Sequence, residues 1–270
     1  MPTHFAPCGL CQELKDLQDS HLLLAALYKF LRTSTTGTDP NPVVVTKSKA
    51  FTSSKQVSSP FLCKNCEQRF SDNGERYILA QCAQPNGQFK LRELLQAATP
   101  LFDTPKVKVY DVQPLLSSEE VDQYLYFAAS VFWRASAHSW KMGNAPVAQI
   151  SLGGQYQEQF RLYLHGKAAL PHNARIVVDV STEAQHDLMT TVFPCTTRVD
   201  DGVYCHKFYI PGLLFILFLG KDVPLRFDDG ALNDSQHRLP IRLCSWQNDS
   251  LFVGLVDLMK TSTPSGKLRR

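Results

Sequence analysis

The sequence predicts an α+β fold, with an N-terminal treble-clef zinc module joined to a C-terminal domain ordered as helix and then antiparallel sheet. Three observations carry this expectation. Two Cys-x-x-Cys pairs, Cys8/Cys11 and Cys63/Cys66, stand near the N-terminus. A long helical pattern follows Ser117, and four runs rich in β-branched, aromatic and aliphatic residues fill much of the chain beyond Arg175.

Residues 1–98 make the first unit. Two residues between paired cysteines let a tight knuckle aim both sulfurs at one ion, and Gly9 eases the first turn. Phe61 and Leu62 lead into the second pair as a strand, after which Glu67 to Gln81 continues as a helix. Knuckle, hairpin and a second pair at a helix start describe a treble-clef finger. Four thiolates suit zinc, and the helix N-terminus favours them, with Lys64 and Arg69 offsetting part of their charge. A closed shell of this kind leaves no open coordination position, so the zinc is expected to be structural and any chemistry must come from other residues. Asp19 or Ser20 is placed to cap a helix running to Arg32, leaving His21 in its first turn. Residues 33–59 are rich in Ser and Thr and carry Pro40, Pro42, Lys47, Lys49 and Lys55. They read as a flexible loop with a short strand at Val43 to Val45.

The second unit covers residues 99–260. Ser117 with Glu120 forms a capping box, and Val121, Leu125, Ala128, Phe132, Ala135 and Ser139 recur at helical spacing until Gly143, Asn144 and Pro146. Trp133 reads as core, whereas Arg134 is placed to pair with an acidic residue of the first unit or to reach a phosphate. A second helix is expected from Gln155 to Leu164, then strands at 175–180, 203–210, 213–219 and 240–246, with a turn at Pro211-Gly212. Cys205 and His206, adjacent on one strand, point to opposite faces and do not make a nucleophile and base. Cys82, Cys195, Cys205 and Cys244 lack paired spacing and read as buried thiols. The polar, basic stretch 261–270 is expected to be a disordered tail.

The net charge of +3 is unevenly placed: residues 1–70 hold eight Lys and Arg against five Asp and Glu, and the remainder holds twenty of each. That excess favours an anionic partner at the first unit. No run approaches the roughly 20 apolar residues of a membrane span, and no basic-then-apolar leader opens the chain, so the expected compartment is the cytoplasm without membrane contact. A phosphate-binding glycine loop, a Gly-x-Ser-x-Gly elbow and a His-Glu-x-x-His motif are all missing from the sequence.

The order Cys8-x-x-Cys11, Asp19-Ser20-His21, then Leu62-Cys63-x-x-Cys66 at a helix start resembles the zinc-containing branch of HNH endonucleases. The resemblance implies His21 as general base, Asp19 as its acidic partner, the four cysteines as structural zinc ligands, and Mg2+ or Mn2+ at the leaving group during cleavage of DNA or RNA. The chain is also similar to a bacterial family sharing Ser20-His21, Leu62 to Ser71 and Trp133-Arg134-Ala135-Ser136, which implies a shared architecture. It departs from the HNH pattern by having Glu67 after Cys66, Asn73 further on, and no His between His21 and His138. Glu67 or Glu75 would have to complete a second metal site. The other class these residues fit is a non-catalytic zinc-stabilised module that binds nucleic acid or a partner protein.

Overall fold

The computed structural model describes residues 4–33, 41–46, 48–148, 150–184, 188–200, 202–227, 230–233, 240–247 and 249–269. The predicted Lys47 and the last tail residue, Arg270, lie outside that set. The architecture is α+β.

β1 (His4–Pro7) and β2 (Leu14–His21) pair antiparallel around the first cysteine pair. The chain then makes α1 (Ala25–Thr33), β3 (Val43–Val45) and β4 (Lys49–Thr52) before β5 (Ser58–Cys63) returns to pair antiparallel with β2. Asp19, Ser20 and His21 are therefore the end of a strand and cap no helix. Ser20 turns inward and its hydroxyl accepts from the Leu62 amide at 2.9 Å, which fixes the extended backbone. Where the sequence suggests a flexible loop, β3 and β4 form a hairpin, with Val44 opposite Phe51.

Cys63 opens α2 (Lys64–Phe70), which runs through a π-helical turn at Ser71–Glu75 into α3 (Arg76–Gln81). The inserted residue of a π turn rotates the following side chains relative to an α-helix. Gly74 sits in that turn because α5 (Ser118–Ala137) crosses against it: a Cβ there would lie 2.8 Å from the Gln123 carbonyl oxygen. α4 (Lys90–Gln96) follows.

The capping box at Ser117 and Glu120 is present and starts α5. The helix stops at Ala137, earlier than the glycine at 143 suggests: His138 is extended, and the Trp140 indole folds back to donate to the Arg134 carbonyl at 2.8 Å. Gly143, with φ of 64°, turns a small hairpin of β8 (Lys141–Met142) and β9 (Ala145–Pro146) instead. α6 (Gly154–Leu164) packs beside α5.

Seven strands form the main sheet: β6 (Phe102–Asp103), β7 (Val107–Asp111), β10 (Ala174–Ser181), β11 (Val192–Asp200), β12 (Val203–Ile210), β13 (Leu213–Leu219) and β14 (Pro240–Cys244). Their order is β11-β12-β13-β10-β14-β7-β6, antiparallel except for β10 beside β14. Phe127 and Phe132 of α5 meet Phe208 and Phe215 on one sheet face. One buried cluster runs from Cys8, Leu10 and Leu62 through Phe70 and Trp133 to Phe208 and Leu217, so apolar packing continues across residue 98. His206 faces Phe132, whereas Cys205 joins a smaller cluster with Tyr209 and Trp246 on the other face.

α7 (Ser250–Thr261) leads to β15 (Thr263–Pro264), which pairs in parallel with β4. The expected disorder of residues 261–270 is replaced, up to 269, by a strand and a short 3-10 turn. Backbone pairing to β4 supplies order that the side chains of a polar stretch do not encode.

Candidate metal centre

The β1–β2 hairpin delivers Cys8 and Cys11, and the start of α2 delivers Cys63 and Cys66. Cys8 turns the chain through two backbone bonds, its amide donating to Glu13 at 2.9 Å and its carbonyl accepting from Gln12 at 2.8 Å. The strained residue of this turn is Gln12, with φ of 64°. Gly9 serves a different purpose from the one expected: a Cβ there would overlap the Phe61 ring, so glycine lets β5 close over the knuckle. The Gly9 amide also donates to the Phe61 carbonyl at 3.0 Å, which ties the two halves together.

All four sulfurs lie within 4.8 Å of one another, and Cys11 Sγ is 4.0 Å from Cys63 Sγ. A tetrahedral four-thiolate zinc shell has sulfur separations of ~3.8 Å, so the set contracts only slightly to hold such an ion. Cys8, Cys63 and Cys66 are buried, while Cys11 is half-buried at the rim. The Cys66 thiol donates to Cys8, and this bond, with backbone amides of Cys63, Cys11 and Leu10, holds Cys8 down to about 4 against the opposing effect of burial. The same bond and burial push Cys66 up. Burial likewise raises Cys11. Without a cation the cluster favours a thiolate at Cys8 and opposes further ionisation, so loading a metal releases protons.

The cations near the cluster are residues the spacing did not single out, and each is already paired with a carboxylate. Arg161 of α6 donates Nη1 to the Leu10 carbonyl at 2.6 Å and binds Glu158 through Nε and Nη2, both at 2.7 Å. Lys15, beside Cys11 and Cys63, pairs with Glu13 at 2.7 Å. Arg69 lies instead in a groove with Asp72, Tyr126 and Tyr163, and Lys64 is exposed. Nothing in the sequence marks Arg161, because its contact depends on α6 docking 151 residues away from Leu10.

His21 ends β2 opposite Ser58 and is half-buried; Asp19, opposite Pro60, is exposed. The His21 ring has no hydrogen-bond partner among the described residues. Its carbonyl oxygen accepts from Arg134 Nη1 at 2.9 Å. Arg134 is 1% exposed and also binds Glu75 Oε1 through Nη2 at 2.8 Å, with its guanidinium 5.2 Å from the Phe70 ring centre. Of the two partners the sequence leaves open for Arg134, an acidic residue of the first unit and a phosphate, the structure supplies the first. Burial raises the Glu75 carboxyl even though Arg134 works against this, and Glu67 adds negative charge nearby. Glu67 itself has a buried Oε1 with no hydrogen-bond partner.

Fold and site together define an α+β protein with a cluster of four cysteines close enough to hold a metal ion, in a knuckle, hairpin and helix arrangement. No protein-family model, no curated protein and no solved structure matches the chain.

Proposed function

We propose that this chain is a zinc-stabilised nucleic-acid-binding protein in which the treble clef serves as a rigid scaffold. The observation that carries this reading is that Arg134 bridges the end of β2 and the π turn that follows α2. A guanidinium bonded to Glu75 and to the His21 carbonyl puts a fixed positive charge where an HNH nuclease would gather anionic ligands around a divalent cation. Zinc suits the sulfur set, and a structural site of this kind contributes an apparent ~10–16 kcal/mol of folding free energy. The basic excess of the first unit supports a phosphate-bearing partner.

One observation favours a second reading, an HNH-like nuclease acting on DNA or RNA. Glu67 Oε1 is buried without a partner close to Glu75, and His21 stands at the strand end with an unengaged ring. In that reading His21 takes a proton from the attacking water, a role typically worth about 10²–10⁴-fold in rate. Asp19 contributes only through the motif.

One set of measurements separates the readings. Purified protein is assayed for zinc, for binding of labelled DNA and RNA, and for their cleavage with added Mg2+ or Mn2+. Salt-sensitive binding without cleavage supports the scaffold. Metal-dependent cleavage that disappears in His21→Ala and Glu67→Gln, at unchanged zinc content, establishes the nuclease. Neither binding nor cleavage sinks both.

A further inference from the structure

β15 carries the far end of the chain back onto the insertion of the zinc module. Thr263 and Pro264 pair with Lys49 and Ala50, the Thr263 amide donates to the Ser48 carbonyl at 3.2 Å, and the Ser265 amide donates to Ala50 at 2.8 Å. The Ser262 hydroxyl donates to the Thr46 carbonyl at 2.6 Å. From the other side, Arg32 of α1 donates to the Ser54 carbonyl at 3.0 Å, and the Tyr28 hydroxyl accepts from the Val57 amide at 3.2 Å. Two stretches more than 190 residues apart, 22–62 and 258–270, are thereby joined.

Their charge is lopsided. Together they hold nine Lys and Arg against a single acid, Asp39, while the rest of the chain holds nineteen against twenty-four. The modest net charge of +3 is thus the balance of +8 in these stretches and −5 elsewhere. Among the described residues, Lys29, Lys49, Lys55, Lys260 and Lys267 are exposed. Two carboxylates stand at the margin, Asp257 at 3.9 Å from Lys260 and Asp19 opposite Pro60; their side chains are exposed, so their effect is largely screened.

We propose that this composite surface binds the sugar–phosphate backbone of a nucleic acid, with the insertion and the C-terminal stretch acting as one site. This deepens the binding function proposed above and rests on it. Ser48 and Thr263 add hydroxyls beside Lys49, while the Ser265 hydroxyl already donates to the Ala50 carbonyl at 3.2 Å; hydroxyls with ammonium groups are the usual partners of phosphate oxygens. The cations are strung along α1, β4 and its exit, and the C-terminal stretch; such a track suits a polymer with repeating charge better than a single phosphate. The exposed apolar side chains nearby, Val43, Val253 and Met259, lie on separate elements or six positions apart rather than in one stripe. That favours a hydrated polyanion over a bilayer surface, which needs a continuous apolar face.

Each phosphate neutralised adds about 0.7–0.9 to the slope of log affinity against log salt, so five lysines set a slope of roughly −3.5 to −4.5. The test uses the metal-loaded full chain and a fluorescent single-stranded oligonucleotide and its duplex, followed by anisotropy from about 50 to 200 mM salt. Lys49→Glu with Lys55→Glu, and separately Lys260→Glu with Lys267→Glu, should each weaken binding about tenfold or more and flatten the slope by roughly 1.5. Lys90→Glu with Lys106→Glu, exposed but outside the surface, should change neither. Metal content and circular dichroism confirm that each variant is folded, and Lys→Gln versions replace any that is not. If the wild type binds but the C-terminal pair has no effect, the composite surface is wrong while the binding function stands. If the wild type binds neither oligonucleotide, both fall. If it binds only vesicles containing phosphatidylserine, and the same variants abolish that, the surface serves a membrane and the nucleic-acid assignment is overturned.

Discussion

Replacing Glu75 by Gln removes one half of the ion pair that joins the cysteine-cluster module to α5. Arg134 and Glu75 have side chains 1% and 15% exposed, so water cannot take over the role of the lost partner. The guanidinium would keep its bond to the His21 carbonyl and its place beside Phe70 but lose its counter-charge. Breaking a buried pair in this way costs about 3–5 kcal/mol. Arg134→Met leaves the opposite remnant, a buried carboxylate whose pKa burial already raises. That carboxylate escapes by taking up a proton, so the penalty of Arg134→Met should shrink as pH falls, and that of Glu75→Gln should shrink with it, because protonating Glu75 in the wild type removes the same counter-charge. The double variant should be more stable than the sum of the singles implies by about 2 kcal/mol, because neither charge is then left alone. The assay is urea unfolding of the metal-loaded protein followed by tryptophan fluorescence, with Trp133 and Trp140 as reporters beside Arg134. A Glu75→Gln penalty below about 1 kcal/mol, or single effects that add within about 0.5 kcal/mol, would refute the claim that this pair anchors the module.

Three other substitutions or conditions have defined outcomes. Cys66→Ser should lower metal content from about one ion per chain and destabilise the zinc module by several kcal/mol, whereas Cys82→Ser, at a buried thiol outside the cluster, should keep the metal; atomic absorption and thermal melting of the two variants decide this. Gly74→Ala places a methyl 2.8 Å from the Gln123 carbonyl oxygen and 3.1 Å from the Phe127 amide nitrogen, backbone atoms that cannot swing away, and should cost about 1–3 kcal/mol in a denaturation curve. Burial holds His206 down to about 4 from an ordinary 6.5, so the folded ring stays neutral while the unfolded one gains a proton first. Its contribution is complete above pH 6.5 and falls away between 6.5 and about 4, a loss of about 3 kcal/mol that His206→Gln should largely abolish.

What the sequence reveals about this fold depends on whether the cause is local. Cys-x-x-Cys spacing, the Ser117/Glu120 box and the Pro211-Gly212 turn each work within a few residues, and each appears where expected; Gly212 has φ of 77° between β12 and β13. The misreadings share the opposite character. Asp19 and Ser20 have the chemistry of a helix cap, yet β5 brings Pro60 and Ser59, 41 and 39 residues downstream, to pair them into a strand. Thr263 and Pro264 have no apolar pattern, and only β4, more than 200 residues earlier, makes them a strand. The cysteine cluster divides in the same way: its four members are legible from spacing, whereas Arg161 at the knuckle and the identity of the Arg134 partner require the tertiary arrangement of α5 and α6.

The Arg134 contact also constrains how the carboxylates beside it can be used. A divalent cation and a guanidinium compete for the same carboxylate, and Arg134 reaches Glu75 from a helix buried along most of its length, so it is not free to withdraw as a surface arginine would be. A metal at Glu75 would therefore stand a few ångströms from an immovable positive charge, which weakens its binding unless other anions outweigh that charge. Glu67, with one buried oxygen unpaired, is the described group best placed to tip the balance. The scaffold and nuclease readings thus differ in whether one carboxylate is enough to hold a cation beside Arg134. Measuring Mg2+ or Mn2+ affinity in the zinc-loaded wild type, in Arg134→Met and in Glu67→Gln answers that directly. If Arg134 excludes the ion, affinity should be negligible in the wild type and rise at least tenfold in Arg134→Met; if the wild type already binds and Glu67→Gln abolishes it, these carboxylates form a metal site despite the guanidinium.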